Sequence, residues 1–79
     1  MKIHVEGKAH LEGKSKRTGK DFNFNQIHYL APARGVEGLS AQTLGLDPIM
    51  YPINSIIVGA DYDVEFDRNG YVVGFELAD

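Results

Sequence analysis

Hydrophobic and polar residues alternate along much of the chain, and this two-residue period is typical of β-strands. In residues 2–11 polar side chains fill the even positions, and the apolar residues occupy odd ones: Ile3, Val5, Ala9 and Leu11. The pattern predicts a strand with one buried face. Gly7 interrupts the apolar series, so we expect a bulge or a bend there.

A second strand is predicted over residues 21–30, where the alternation changes phase halfway. Phe22 and Phe24 are at even positions, whereas Ile27 and Tyr29 are at odd ones. Either a bulge lies in the middle of the strand, or its two halves direct their large apolar residues to opposite faces. The second alternative leaves Ile27 and Tyr29 to fill the core and the two phenyl rings outside it.

Residues 61–77 predict a hairpin with its turn at Asn69-Gly70. This dipeptide is typical of the two-residue type I′ turn, because both central residues of that turn need positive φ. Acidic residues alternate with apolar ones before the turn. The turn sets a register in which six apolar residues share one face in three pairs: Phe66 with Val73, Val64 with Phe75, and Tyr62 with Leu77.

The middle of the chain predicts shorter elements. Residues 31–38 form a loop, residues 39–46 a weaker strand, and residues 54–59 a short strand or an irregular crossing segment. Pro48 and Pro52 exclude a long helix in the segment between residues 46 and 54. Five strand-like segments without a helix predict an all-β fold. We expect a small five-stranded antiparallel barrel, OB-like or SH3-like, with protruding hairpins.

Composition narrows the class of protein further. The chain has 79 residues, of which 43% are hydrophobic, and we expect residues 1–79 to form a single domain. This hydrophobic content excludes an intrinsically disordered chain. With no cysteine, neither a disulfide nor a thiolate metal site can stabilise the fold. No stretch has the pattern of a signal peptide or a membrane span, so we expect a soluble, cytoplasmic protein.

Charge is distributed unevenly around a formal net charge of −3. Residues 1–34 contain seven of the eight Lys and Arg residues and three acids, a net of +4. Residues 35–79 contain one Arg and eight acids, a net of −7. Such a protein can present a cationic surface despite its acidic total. The alternative is mixed surface charge that only keeps a small domain soluble.

The sequence contains no pattern that predicts catalysis or a metal site, so we expect neither enzymatic activity nor a cofactor. His4 and His10 share one face of a strand but are six residues apart, roughly 20 Å at the usual rise and too far to bind one ion. The segment GKSKRTGK is followed by a strand, whereas a phosphate-binding loop needs the spacing GxxxxGK[ST] and a helix. The alternating acids of residues 61–67 are typical of a solvated strand surface.

Four cations within seven positions precede the strand that carries the two phenylalanines. Phe22 and Phe24 are two residues apart, so their rings share one face of that strand. Cations beside aromatic rings suit single-stranded nucleic acid, because cations bind phosphates and rings stack on unpaired bases. The alternative is two core phenylalanines beside a solvated loop. The candidate nucleic-acid-binding residues are Lys14, Lys16, Arg17, Lys20, Phe22 and Phe24.

The segment GKSKRTGKDFNFNQ resembles the DNA-binding hairpin of the small single-stranded DNA-binding, or helix-destabilising, proteins of filamentous phages. The later stretch INSIIVGADYDVEFDRNGYVVGFEL resembles their C-terminal half. The resemblance implies a five-stranded OB-type fold, a homodimer, and cooperative, sequence-independent coating of single-stranded DNA. It also implies that Arg17 and Lys20 contact phosphates and that Phe22 stacks on a base. Phe24 would provide an apolar residue at the binding surface.

The leading hypothesis is therefore a non-sequence-specific single-stranded DNA-binding protein that acts in phage or mobile-element replication. Two other classes remain open. In a protein-interaction adaptor barrel, the acidic row of residues 61–67 would be the recognition surface for a basic partner. An RNA-binding, cold-shock-like barrel would use the same aromatic residues, since stacking on phenylalanine serves RNA and DNA alike.

Overall fold

The computed structural model describes residues 1–78 and shows an all-β protein. Its strands form two antiparallel, three-stranded sheets, and no helix among these residues is long and apolar enough to cross a membrane. Sheet I contains, in spatial order, β1 (Lys2–His4), β5 (Asp61–Phe66) and β6 (Val72–Leu77). Sheet II contains β2 (Gly7–Lys14), β3 (Asp21–Ala31) and β4 (Ser40–Leu46). The segment that crosses from β4 to β5 includes one turn of 3₁₀ helix, Ile53–Ser55.

The core lies between the two sheets and is mostly apolar. Asn25 on β3 is its one buried polar residue within the described chain, with 1% of its surface exposed. Tyr62 and Phe75 stack with ring centroids 4.3 Å apart. Removal of these side chains from water is the main favourable contribution to the association of the sheets. The buried apolar residues are Ile3, Val5, Ile27, Tyr29, Leu44, Leu46, Ile56, Tyr62, Val64 and Phe75.

The predicted first strand is divided into β1 and β2 by a bend immediately before Gly7. β1 pairs with β5 in sheet I, and β2 pairs with β3 in sheet II. The bend reverses the alternation, so Ile3 and Val5 are buried, whereas Ala9 and Leu11 lie on the face of sheet II that points away from the core. The expected bend is confirmed. The expected burial of Ala9 and Leu11 on the core face is wrong.

β3 runs for 11 residues without a bulge. Its register with β2 and with β4 is continuous, so its side chains alternate between the two faces along the whole strand. Ile27 and Tyr29 are in the core, and Phe22 and Phe24 lie on the opposite face. Of the two predicted alternatives for this strand, the one with opposite faces is therefore confirmed.

The hairpin of β5 and β6 has the predicted pair of Val64 with Phe75 but not the predicted turn. Gly70 has φ +86°, whereas Asn69 has negative φ, which excludes type I′. Gly70 N donates to Asp67 O at 3.1 Å, and Asp67 N donates to Tyr71 O at 2.8 Å. The turn is therefore a type I turn followed by one left-handed glycine, which lengthens the loop by one residue.

A bulge at Val73 restores the register that the longer loop would shift. Phe66 pairs with Val72 instead of Val73, and the predicted pairing of Tyr62 with Leu77 is retained farther from the turn. Val72 packs against the core, while Phe66, Val73 and Leu77 are exposed. Two of the three predicted pairs are therefore confirmed, and the pair of Phe66 with Val73 is wrong because the bulge displaces Val73.

The two sheets do not close into a barrel within the described residues, and six strands are present where five were predicted. On one side the sheets are joined through the bend between β1 and β2, where Glu6 N donates to His28 O at 2.9 Å. On the other side β4 and β6 are not hydrogen-bonded to each other. A groove of about 410 Å³ lies there, lined by residues that include Tyr29, Leu44 and Tyr71.

Candidate nucleic-acid interface

The loop between β2 and β3, residues 15–20, is ordered by its own hydrogen bonds. Ser15 N donates to Lys20 O, and Gly19 N donates to Ser15 O, each at 2.8 Å. The Ser15 hydroxyl accepts from Thr18 N at 3.4 Å. Gly19 has φ +73°, a left-handed conformation that side chains rarely adopt, and this lets the chain turn back into β3. We name this ordered tip the cationic loop.

The cations near this loop are exposed and unneutralised. Lys16, Arg17 and Lys20 belong to the cationic loop, and Lys14 is at the end of β2. Within residues 1–78 every ion pair involves a histidine, so none of these four cations has a carboxylate oxygen within 4.0 Å. Unpaired cations on a protruding hairpin attract anionic ligands.

Lys14 faces away from the aromatic rings. It pairs with Asp21 across the hairpin, while its neighbour Gly13 pairs with Phe22 on the other face. Because successive residues of a strand point to opposite faces, the Lys14 side chain starts from the face of the hairpin opposite to that of Phe22. A groove of about 550 Å³ at the tip of the hairpin is nonetheless lined by both Lys14 and Phe22, so a ligand that occupies this groove can reach both side chains.

Phe22 and Phe24 form an aromatic surface on the outer face of β3, directly after the cationic loop. Their ring centroids are 6.2 Å apart and their planes are inclined by 55°. Phe22 is 38% exposed and Phe24 is half-buried, and neither belongs to the core. Because the planes are inclined, the two rings cannot both stack on parallel neighbouring bases. Phe22 is the ring with more surface available for stacking.

Sequence reasoning missed Leu11 as a member of this aromatic surface. Leu11 is directly opposite Phe24 in the β2–β3 pair and is half-buried. Residues opposite each other in an antiparallel pair share one face of the sheet. The signal that could have found it is Gly7, because counting the alternation afresh from a bend at Gly7 places Leu11 on the outer face.

Polar contacts attach the base of the hairpin to the crossing segment. Asn25 Nδ2 donates to Tyr51 O at 2.7 Å. Lys8 Nζ donates to the carbonyl oxygens of Ile53 and Ile56, at 2.8 and 2.7 Å. Lys8 therefore has a structural role, unlike the cations near the loop, and the contacts hold the hairpin in a defined direction from the core.

His10 continues this network on β2. Its Nδ1 lies 2.7 Å from Asn25 Oδ1, and its Nε2 lies 3.2 Å from Glu12 Oε2. Because the amide nitrogen of Asn25 already donates to a carbonyl, its oxygen is the atom that accepts from His10 Nδ1. The hydrogen bond to Asn25 and then the one to Glu12 raise the pKa of His10 above its ordinary value of 6.5.

Acidic residues occupy the outer face of sheet I. Asp61, Asp63 and Glu65 alternate along β5, and Glu76 on β6 pairs with Asp63. A groove of about 200 Å³ lies beside the last three of these. His4 Nδ1 contacts Asp61 Oδ1 at 2.6 Å, but in residues 1–78 no three His, Asp or Glu side chains are grouped as metal ligands would be. This acidic face and the aromatic surface lie on different sheets.

No family model matches this chain, and comparisons with curated proteins and with solved structures returned no match either.

Proposed function

We propose that this protein binds single-stranded DNA without sequence specificity, as a binding protein and not an enzyme. The observation that carries the proposal is the exposed ring of Phe22 on the outer face of β3, directly after an ordered cationic loop. In the proposal the three loop cations bind phosphates, and Phe22 stacks on a base. Phe24 supplies apolar contact beside it, and Lys14, which lines the same groove as Phe22, is the fourth cation that attracts the strand.

The strand order supports an OB-like interpretation of the fold. If β1 and β2 are the two halves of one bent strand, the order becomes β4, β3, β2/β1, β5, β6, which is five strands open between β4 and β6. OB folds are partly open five-stranded barrels that bind oligonucleotides on the face of their second and third strands and with adjoining loops. In this interpretation β3, β4 and the cationic loop correspond to those parts.

The separation of charge supports a single binding side. The loop cations project from the end of sheet II, and the acids Asp61, Asp63 and Glu65 project from the outer face of sheet I. A polyanion is attracted by the first surface and repelled by the second. A DNA strand would therefore be directed to the hairpin and away from sheet I.

The proposal includes the setting that the family resemblance implies. In that setting the protein is a cytoplasmic homodimer that coats single-stranded DNA cooperatively during phage or mobile-element replication. Light scattering with and without oligo(dT) tests the dimer.

Oligo(U) offers the same kind of unpaired base as oligo(dT), so a comparison of the two separates DNA binding from RNA binding. We expect oligo(dT) to bind at least as tightly as oligo(U). Tighter binding of oligo(U) would favour the RNA-binding, cold-shock-like alternative.

A salt titration with labelled oligo(dT) tests the proposed function. The affinity should fall with salt, with a log–log slope of about −0.7 for each phosphate neutralised. Phe22→Ala should weaken binding by about fivefold or more with little change in that slope, because stacking contributes about 1–3 kcal/mol per base. Arg17→Ala should make the slope shallower by about 0.7, because one phosphate contact is lost.

Two matched variants control for loss of an exposed side chain elsewhere. Val73→Ala removes an exposed apolar side chain from sheet I, and Arg34→Ala removes an exposed arginine from the β3–β4 loop. Both should bind oligo(dT) as the parent does. The proposal fails if the parent does not bind oligo(dT), or if Phe22→Ala and Arg17→Ala bind with the parent's affinity and salt slope.

A protein-interaction adaptor is the second candidate, because the acidic face of sheet I is a separate, continuous surface. Such a surface attracts a basic protein. In that case oligo(dT) would change neither the tyrosine fluorescence nor the melting temperature. A pull-down would instead recover a basic protein that the double variant Asp63→Asn, Glu65→Gln fails to retain.

A further inference from the structure

Gly13 lies directly beneath the outer end of the Phe22 ring. The two residues are paired across β2 and β3. A Cβ added at Gly13 would be 3.1 Å from Phe22 Cζ and 3.6 Å from Cε1. The first distance is shorter than ordinary van der Waals contact, so a Cβ at this position requires the end of the ring to move by a few tenths of an ångström.

The other glycines of the outer face of sheet II do not have this property. A Cβ at Gly7 would be 3.7 Å from the nearest atom of His28, and one at Gly45 would be 3.5 Å from Phe24 Cδ2. Both distances are ordinary contacts. Gly13 is therefore the position on this face where the absence of a side chain determines where an aromatic ring can lie.

The backbone does not account for glycine at this position. Gly13 is absent from the residues with positive φ, so its strand conformation is one that alanine also adopts. An aromatic side chain that covers a cross-strand glycine can stabilise a hairpin by itself. That structural role predicts an effect on stability, whereas a role in ligand binding predicts an effect that depends on the ligand.

We propose that Gly13 is a positioning residue for nucleobase binding: it seats the Phe22 ring low across β2, where the ring accepts a base from a strand whose phosphates contact the cationic loop. This inference rests on the proposed function and deepens it. The ligand it selects is a strand with planar bases, since a polyanion without bases uses only the cations. Gly13 itself touches no ligand in this proposal and acts through Phe22.

The test measures the affinity of the full chain for oligo(dT) and for an abasic oligomer of equal length. Gly13→Ala should weaken binding of oligo(dT) by about threefold, and Gly13→Val by about fivefold, close to the smallest loss expected for Phe22→Ala. Affinity for the abasic oligomer should not change. Gly7→Ala is the matched control, on the same strand and face, and should bind both ligands as the parent does.

A double-variant cycle separates positioning from an independent effect of Gly13. In the Phe22→Ala background Gly13→Ala should cause no further loss, because the ring on which it acts is absent. Melting temperatures of all variants report whether the hairpin is intact. We expect Gly13→Ala to melt no lower than the parent, since alanine fits a strand at least as well as glycine.

The outcomes distinguish this inference from the proposed function. If the parent binds oligo(dT) and Gly13→Ala binds it equally well, the inference alone is overturned. It is also overturned if Gly13→Ala weakens binding of the abasic oligomer to the same degree, or if the loss persists in the Phe22→Ala background. If the parent binds neither oligomer, the proposed function fails and the inference fails with it.

Discussion

At the scale of single residues, the contacts of His10 couple protonation to folding. Its Nδ1 donates to Asn25 and its Nε2 faces the Glu12 carboxylate, so the protonated ring can donate from both nitrogens. The raised pKa means that the folded protein binds this proton more tightly than the unfolded chain does. The contribution to stability is therefore complete below the ordinary value of 6.5 and is lost as the pH rises through the raised pKa.

His10→Gln should accordingly lower the melting temperature more at pH 5.5 than at pH 8.5, because the protonated ring is lost only where it was present. Melting curves of parent and variant at both pH values measure this. His28→Gln, which removes an exposed imidazole with no side-chain hydrogen bond within residues 1–78, corrects for the loss of a histidine. An equal difference in melting temperature at the two pH values would contradict the assigned hydrogen bonds.

At the scale of elements, the type of turn between β5 and β6 predicts different effects of alanine at Gly70 and at Asn69. Gly70→Ala should lower the free energy of unfolding by about 1–2 kcal/mol, because φ is +86° at this position. Asn69→Ala should change it by less than about 0.5 kcal/mol, because φ is negative there. Urea unfolding measures both. A type I′ turn would make the two substitutions similarly costly.

The same turn shows how far local sequence signals extend. Asn69-Gly70 marked the turn correctly, and the pairing of Val64 with Phe75 followed from it. The turn type did not, because Asp67 Oδ1 accepts hydrogen bonds from Asn69 N and Tyr71 N, each at 2.9 Å, and so stabilises a three-residue loop. Those contacts appear only when the loop is closed, and dipeptide preference does not contain them.

The residues of the β2–β3 hairpin that form the candidate site could not all be predicted equally well from the sequence. The cationic loop and the shared face of Phe22 and Phe24 follow directly from residue order and the strand period. The membership of Leu11 in the same surface does not follow, because the chain passes from sheet I to sheet II at the bend before Gly7. Odd and even positions predict which face a residue occupies only within one strand, so the prediction has to begin again where the chain enters another sheet.

At the scale of the whole molecule, Asn25 links three separate parts of the chain. It lies on β3, accepts from His10 on β2 and donates to Tyr51 in the crossing segment. Asn25 has 1% of its surface exposed, so its amide depends on these two partners, and not on bulk water, for its hydrogen bonds. The orientation of the protruding hairpin relative to the core depends on this residue.

Asn25→Ala should lower the free energy of unfolding by about 1–3 kcal/mol, because it removes both side-chain hydrogen bonds of a buried amide, those with His10 and with the Tyr51 carbonyl. Urea unfolding monitored by tyrosine fluorescence measures the change. Asn23→Ala is the matched control, since Asn23 is two residues earlier on the same face of β3 but exposed, and it should cost less than about 0.5 kcal/mol. Equal effects of the two substitutions would show that Asn25 contributes no tertiary contact of consequence.

The sequence by itself determined the all-β class, the position of most strands, the cationic loop and the grouping of two phenylalanines on one face of a strand. These features depend on the two-residue period and on turn residues, which act over a few neighbouring positions. Only the tertiary structure decided that this face is the outer one, that β1 and β2 belong to different sheets, and that the sheets remain open between β4 and β6. Odd or even position predicts which side chains share a face of a strand, but which face becomes buried depends on what packs against it. Here sheet I and the crossing segment cover the face of β3 opposite to Phe22 and Phe24.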